Sequence, residues 1–279
     1  MNEIILIKSR FNEIIHPLMF KAFSIVQKYN LKIDGVVPEK GNYIYIANHF
    51  CVNDIPTAAQ AIQKHVFALV SDEDRHKLDG LFLELNGVIW TSRTDKRLRK
   101  KSRDEIIGYL KQGKNVLIYP EATWNNSPNL LMLPMNYGCI AISQETAVPI
   151  VPLYLFFHKD SNTCYVKIHE PFIPSDDRLA SINKLRDILA TTAFNYMEKY
   201  NASTREKIVA ENFDWDNEVR LKLLEYRRSR KNPDAVRKTE EQYIFRPKNI
   251  VENKEAFSHL NNIVVNYKTA FLFNKRLSL

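Results

Sequence analysis

The sequence predicts an α/β domain built on a mostly parallel sheet flanked by helices, and three observations carry that expectation. Short runs rich in β-branched and aromatic residues alternate with segments of helical periodicity over about residues 32–200. Such alternation is the pattern of strand–helix–strand units, whose helices cross between parallel strands. Several of the runs are apolar without interruption, as strands buried on both faces are. Finally, 45% apolar and 26% charged residues over 279 positions, with only 7 glycines and 12 prolines, exclude a disordered or low-complexity chain.

In chain order, residues 3–29 place Ile4, Ile7, Phe11, Ile14, Ile15, Leu18, Phe23 and Ile25 at roughly helical spacing, broken near Pro17. One or two amphipathic helices are expected there, packed on the main domain or presented to a membrane. Tyr43–Ala47 follows a Pro38/Gly41 turn and is a predicted strand. Asp54-Ile55-Pro56 starts a helix, with Asp54 as capping residue and proline in the first turn, running to Lys64. Val66–Val70 and Val88–Trp90 read as buried strands. Arg103–Lys111 puts Ile106, Ile107 and Leu110 on one helical face, and Gly113 ends that helix before the strand Asn115–Tyr119. Val148–Phe157 and Cys164–His169 complete the strands, and Asp177–Tyr200 is a last long helix. Beyond it, residues 201–279 hold 16 basic and 11 acidic residues, more than half of the formal charge of +8. Two helices are expected in this stretch, near Glu218–Lys231 and Ser258–Phe273. The organisation read from the chain is therefore N-terminal amphipathic helices (1–31), a main domain (32–200) and a basic, mainly helical extension (201–279).

The charge suits an anionic partner, whether nucleic acid, an anionic membrane surface or a phosphorylated substrate. Cys51, Cys139 and Cys164 are far apart and form no Cys-x-x-Cys pair, so free thiols in a reducing cytoplasm are expected rather than a zinc ribbon or disulfides. The longest apolar run, residues 147–157, contains Pro149 and Pro152 and falls short of the roughly 18 residues of a membrane span. The amino end lacks a signal-peptide core, so the protein is expected to be made and kept inside the cell.

The strongest chemical signal is Asn48-His49-Phe50-Cys51-Val52-Asn53-Asp54, where a predicted strand gives way to a helix. Open α/β sheets place ligand sites at such carboxyl ends. Across that turn Asp54 can fold back onto His49, holding one ring nitrogen and leaving the other to take a proton near neutral pH. No Gly-x-Ser-x-Gly motif accompanies the pair, which suits a reaction in which the substrate's own hydroxyl attacks. His49 and Asp54 without a third ligand nearby do not make a metal site.

Three further blocks follow in order: Gly87-Val88-Ile89-Trp90-Thr91-Ser92-Arg93, Tyr119-Pro120-Glu121-Ala122-Thr123, and Val148-Pro149-Ile150-Val151-Pro152-Leu153. With these in place the chain resembles the lysophospholipid acyltransferases of the 1-acylglycerol-3-phosphate acyltransferase type. That family carries Asn-His-x4-Asp, Gly-x-x-Phe-x-x-Arg, Phe-Pro-Glu-Gly-Thr-Arg and Val-Pro-x-x-Pro-like blocks in this order. The first block matches at Asn48, His49 and Asp54. The second keeps Gly87 and Arg93, with Trp90 for the aromatic. The third keeps Pro120, Glu121 and Thr123, with Ala122 for glycine and Trp124 for arginine.

The resemblance implies an acyltransferase-like fold and an O-acyltransferase. His49 would be general base, oriented by Asp54, on the hydroxyl of a lysophospholipid acceptor (1-acylglycerol-3-phosphate-like), which attacks the thioester of acyl-CoA or an acyl-carrier protein. Arg93 would bind a phosphate, and Glu121 and Thr123 would line an acceptor pocket, with Asn48, Gly87 and Pro120 among the substrate-binding positions. No cofactor, no metal and no nucleic acid are expected. The implied partners are a lysolipid acceptor, the acyl donor and an anionic membrane surface, met peripherally from the cytoplasmic side. Tryptophan lacks the guanidinium fork that grips phosphate, so either another base serves or the acceptor is not lysophosphatidic acid. Transfer to a different hydroxyl, such as a glycolipid's, and a catalytically silent basic protein that binds lipid or nucleic acid are the alternatives. The basic run Lys96–Arg103 reads as a solvated loop and helix start, or as a contact for lipid headgroups or donor phosphates. Cys51 falls at a variable position of the first block, which argues against a thiol nucleophile.

Overall fold

The computed structural model describes residues 29–49, 53–72, 78–92, 94–125, 131–158 and 161–200, together with Ile14, Ile15 and Leu18. Of the helices expected over residues 3–29 only Ile14, Ile15, Leu18 and Tyr29 are described, and those expected within residues 201–279 lie outside the described residues. The chain divides into two compact units, Met1–Pro120 with Asn136–Leu185 and Glu121–Met135 with Arg186–Leu279.

The first unit is a seven-stranded sheet. Its strands are β1 (Asn30–Asp34), β2 (Ile44–Ala47), β3 (Val66–Ser71), β4 (Ile89–Thr91), β5 (Asn115–Ile118), β6 (Ile150–His158) and β7 (Thr163–Ile168). They are ordered β1-β7-β6-β2-β5-β3-β4. The five from β6 to β4 are mutually parallel; β6 and β7 form an antiparallel hairpin, and β1 runs parallel to β7. Helices α1 (Asp54–Ile62), α2 (Leu78–Leu85), α3 (Lys96–Lys111) and α4 (Gly138–Thr146) belong to the same unit, and α5 (Arg178–Tyr200) begins in it and continues into the second. The α/β class and mostly parallel sheet expected from the sequence are those observed.

All four residues of β2 are fully buried, because the sheet is covered on both faces. On one face Tyr45, Ala47, Leu117, Tyr119, Val151 and Leu153 join Ala58, Ala59, Ala61 and Ile62 of α1 in a single core. The alternating residues meet α3 and α4, where Phe67 of β3 stacks on Tyr109 of α3 with ring centroids 3.9 Å apart. In β2, β3 and β6 both halves of the two-residue alternation are thus largely apolar, which is why these runs read as uninterrupted.

The predicted elements shift by one or two residues at their ends, except at α3, which begins at Lys96 rather than Arg103. The side chain of Asp95 accepts from the N–H groups of Arg97 and Leu98 and caps a helix that absorbs the whole basic run. Asp54 is the first residue inside α1, with Asn53 at the cap position. Three elements carry no expectation from the sequence: β1, α2 and α4. β1 is a mostly exposed edge strand, and α4 has no side-chain cap and buries Ile140 and Ile142, β-branched residues that favour strands. Among the described residues no helix is long and apolar enough to cross a membrane.

Candidate active site

β2, β4 and β5 run parallel, so their carboxyl ends share one edge of the sheet; Asn48, His49 and Pro120 lie at that edge, whereas Gly87 precedes β4 at the opposite, amino edge. β2 stops at Ala47, paired with Leu153 of β6. The Asn48 side chain then turns onto β6: its Oδ1 accepts from the N–H of Leu155 at 2.7 Å, and its Nδ2 donates to the Leu155 carbonyl at 3.0 Å. The backbone leaves the sheet here, and His49 swings toward the start of α1.

His49 Nδ1 lies 2.7 Å from Asp54 Oδ2. A carboxylate only accepts, so Nδ1 donates and Nε2 is the basic nitrogen. The Asp54 side chain is sealed from solvent while that of His49 keeps 21% of its surface exposed. Asp54 also sits in the first turn of α1, where the helix dipole favours negative charge. The ring of Tyr119, just past β5, lies 4.7 Å from the imidazole centroid, tilted by 36°. The pair expected across the strand–helix turn is therefore present with hydrogen-bonding geometry. Cys51 lies outside the described residues. Cys164, on the buried face of β7, has its thiol pushed up to about 12 by burial and, to a lesser degree, by the charge of Asp54. Burial pushes the Cys139 thiol up to about 12 as well. Neither thiol is suited to nucleophilic attack at neutral pH.

Gly87 closes α2. Its N–H bonds to the Glu84 carbonyl and that of Val88 to the Leu83 carbonyl, with Gly87 at φ 78°. This is the left-handed helix stop that glycine fills best, and it aims the chain into β4. In β4 the indole N–H of Trp90 donates to Glu84 Oε2. Arg93 lies outside the described residues; the residues around it are held by Ser92 Oγ, which accepts from the N–H of Thr94 and of Asp95. The Pro120 carbonyl, past β5, accepts twice from Asn136, from its N–H at 2.8 Å and its Nδ2 at 3.0 Å.

The second unit opens with the rest of the third block. Glu121 is fully buried, and its Oε2 accepts from the N–H of Leu133 at 2.7 Å, tying the start of its loop to the end. Ala122 adopts φ 59°, the left-handed conformation for which the family's block carries glycine. Thr123 is fully buried, and its Oγ1 has no hydrogen-bond partner among the described residues. Trp124 is partly buried. The fourth block is scaffold of the sheet: the Pro149 carbonyl accepts from Ile44, and Ser143 Oγ donates to the Val148 carbonyl at 2.6 Å. Sequence reasoning missed the two side chains that fix this edge from afar, Tyr119 on the imidazole and Asn136 on Pro120. The aromatic of the third block was the available signal for the first; nothing marks Asn136. Among the described residues no three His, Cys, Asp or Glu side chains gather as metal ligands.

Residues 28–156 match the protein family described as Acyltransferase. The chain is 26% identical over 159 residues to a lyso-ornithine lipid O-acyltransferase of Pseudomonas aeruginosa, covering 56% of this chain and 58% of that one. It is 26% identical over 140 residues to a 1-acyl-sn-glycerol-3-phosphate acyltransferase of Saccharomyces cerevisiae, covering 48% and 46%. The chain thus spans about half the length of these relatives. Among solved structures it superposes on the 1-acyl-sn-glycerophosphate (LPA) acyltransferase PlsC of Thermotoga maritima with a TM-score of 0.53. That match covers 71% of this chain and 83% of that one at 20% identity. The fold is that of PlsC, and the resemblance to the lysophospholipid acyltransferases, first seen in four short blocks, extends over the strands that carry them.

Proposed function

We propose that this protein is an O-acyltransferase that transfers a fatty acyl group from acyl-CoA or an acyl-carrier protein to the hydroxyl of a lysolipid. The observation that carries the reading is the 2.7 Å bond between His49 Nδ1 and the buried Asp54, at the carboxyl edge of a PlsC-like sheet. His49 Nε2 takes the proton of the acceptor hydroxyl as its oxygen attacks the thioester carbonyl. Asp54 stabilises the imidazolium so formed. Collapse of the tetrahedral adduct breaks the C–S bond, and the leaving thiolate recovers the proton from His49, giving ester and free thiol. No acyl-enzyme and no cofactor take part. Arg93 binds phosphate, and Glu121 and Thr123 take the acceptor, as the blocks they belong to imply. Gly87 and Pro120 shape the strand ends that carry those blocks.

The acceptor differs from lysophosphatidic acid in this reading. Trp124 stands where the family's block has arginine, and one of the relatives is named for a lyso-ornithine lipid rather than a phosphatidic acid. The protein works peripherally at the inner face of an anionic membrane. The exposed basic turns of α3, on the sheet edge that carries His49, support that placement.

The test is turnover of purified protein with acyl thioester and a panel of lysolipids, followed by thiol release. His49→Ala is expected to lower kcat by about 10²–10⁴-fold with the fold intact, and Asp54→Asn to be severely impaired. Near-normal turnover in His49→Ala removes the mechanism. An acyl adduct on the protein, seen by mass spectrometry, replaces direct attack with a ping-pong cycle.

A further inference from the structure

We propose that Asn48 is a positioning residue for His49, its carboxamide standing in for strand backbone so that β2 can leave the sheet where the histidine must turn toward Asp54. β2 and β6 pair in register through Ala47 and Leu153. In a parallel ladder continued by two residues, position 49 would face Leu155, and backbone groups of its neighbours would bond the Leu155 N–H and C=O. Such a continuation would hold His49 in the sheet, pointing along the strand's alternation. The structure instead meets both Leu155 groups with one side chain, at 2.7 Å and 3.0 Å. A carboxamide carries the same donor and acceptor as a peptide group, so β6 loses no hydrogen bond although its neighbour has ended. Asn48 is 6% exposed and Leu155 1%, so these groups are withdrawn from bulk solvent and need partners within the protein.

The residue type follows from this geometry. Aspartate accepts from Leu155 but cannot donate to its carbonyl, serine has one polar atom for two partners, and glutamine is a methylene too long. The sequence suggested Asn48 as a substrate contact. Here it acts through the neighbouring residue: freed from the ladder, the backbone at 48–49 carries the imidazole to Asp54 Oδ2 and against Tyr119.

The kinetic part of the test rests on the acyltransferase reading; the spectroscopic part does not. A histidine Nδ1–H bonded to a buried carboxylate gives a far-downfield proton resonance, assigned here by its loss in Asp54→Asn. In folded Asn48→Ala this resonance is expected to disappear or broaden, while kcat falls about 10–100-fold and KM for both substrates stays within about 2-fold. In Asn48→Asp, which keeps the bond from the Leu155 N–H, the resonance is expected to weaken and kcat to fall less. The second variant also serves if Asn48→Ala does not fold. Loss of the resonance in a wild-type background that shows no acyl transfer leaves the positioning role standing and removes the acyltransferase reading. A wild-type resonance with wild-type kcat in either folded variant overturns the positioning role, and so does a rise in KM at unchanged kcat, which would make Asn48 a substrate contact.

Discussion

Ala122 is a residue in the wrong conformation for its type. At φ 59° its Cβ crowds the backbone, a strain of about 1–2 kcal/mol that glycine does not suffer. Replacement by glycine also loosens the unfolded chain, which costs about 0.4–1 kcal/mol. Relief of the strain outweighs that loss, so Ala122→Gly is expected to raise stability by up to about 1 kcal/mol, measured by urea unfolding. A loss of stability would mean that the turn has relaxed around the methyl group. At this same scale the dyad was legible in the sequence because both members lie within one strand–helix turn, five positions apart. Tyr119 packs on His49 from just past β5, seventy residues away, and Glu121 holds the backbone of Leu133 through a loop, so neither contact leaves a local signature.

Among the elements, α3 places its charges against its own dipole. Lys96, Arg97, Lys100 and Lys101 crowd the amino-terminal end, where positive charge is unfavourable, and no acidic residue occupies the first turn. Reversing these four to glutamate is therefore expected to raise Tm slightly. The same change should weaken binding to anionic liposomes, more at low salt than at high. Vesicle binding that survives the reversal assigns the run to the acyl donor or to nothing. The turn after β1 makes a second element-scale test. Gly35 has φ 104°, and a Cβ there would meet the Ile168 carbonyl oxygen of β7 at 2.2 Å. Gly113 shares a positive φ of 75° but has open space around it. Gly35→Ala should therefore cost about 2 kcal/mol or more in urea unfolding, and Gly113→Ala about 1. Equal costs would show that β1 and β7 separate readily at that turn.

At the scale of the whole molecule, burial couples stability to alkaline pH. The folded thiols of Cys139 and Cys164 hold their protons to about pH 12, while unfolded ones release theirs near 9.0. Over that window the unfolded state binds fewer protons, so stability is complete below pH 9 and falls as pH rises toward 12. The slope is at most about 1.4 kcal/mol per pH unit for each thiol. Burial raises the hydroxyls of Tyr45 and Tyr109 too, and they act in the same direction. Urea unfolding under reducing conditions from about pH 8 to about pH 11 measures the decline, and replacing both cysteines by alanine should flatten it. An unchanged slope would leave the tyrosines as its source.

The sequence alone determined the class of fold, the succession of the main buried strands and the His49–Asp54 pair. Each of these is written in spacing over a few residues: two-residue alternation, helical periodicity, a turn between strand and helix. The same local rules could not see β1, whose exposed edge carries little apolar pattern, or α4, whose buried β-branched residues contradict helical propensity. Only the tertiary structure decided the order β1-β7-β6-β2-β5-β3-β4 and the reversal at the β6–β7 hairpin. It alone brought Asn48 to Leu155, 107 residues away, because a hydrogen bond between distant segments is satisfied by register and burial, which no stretch of sequence contains.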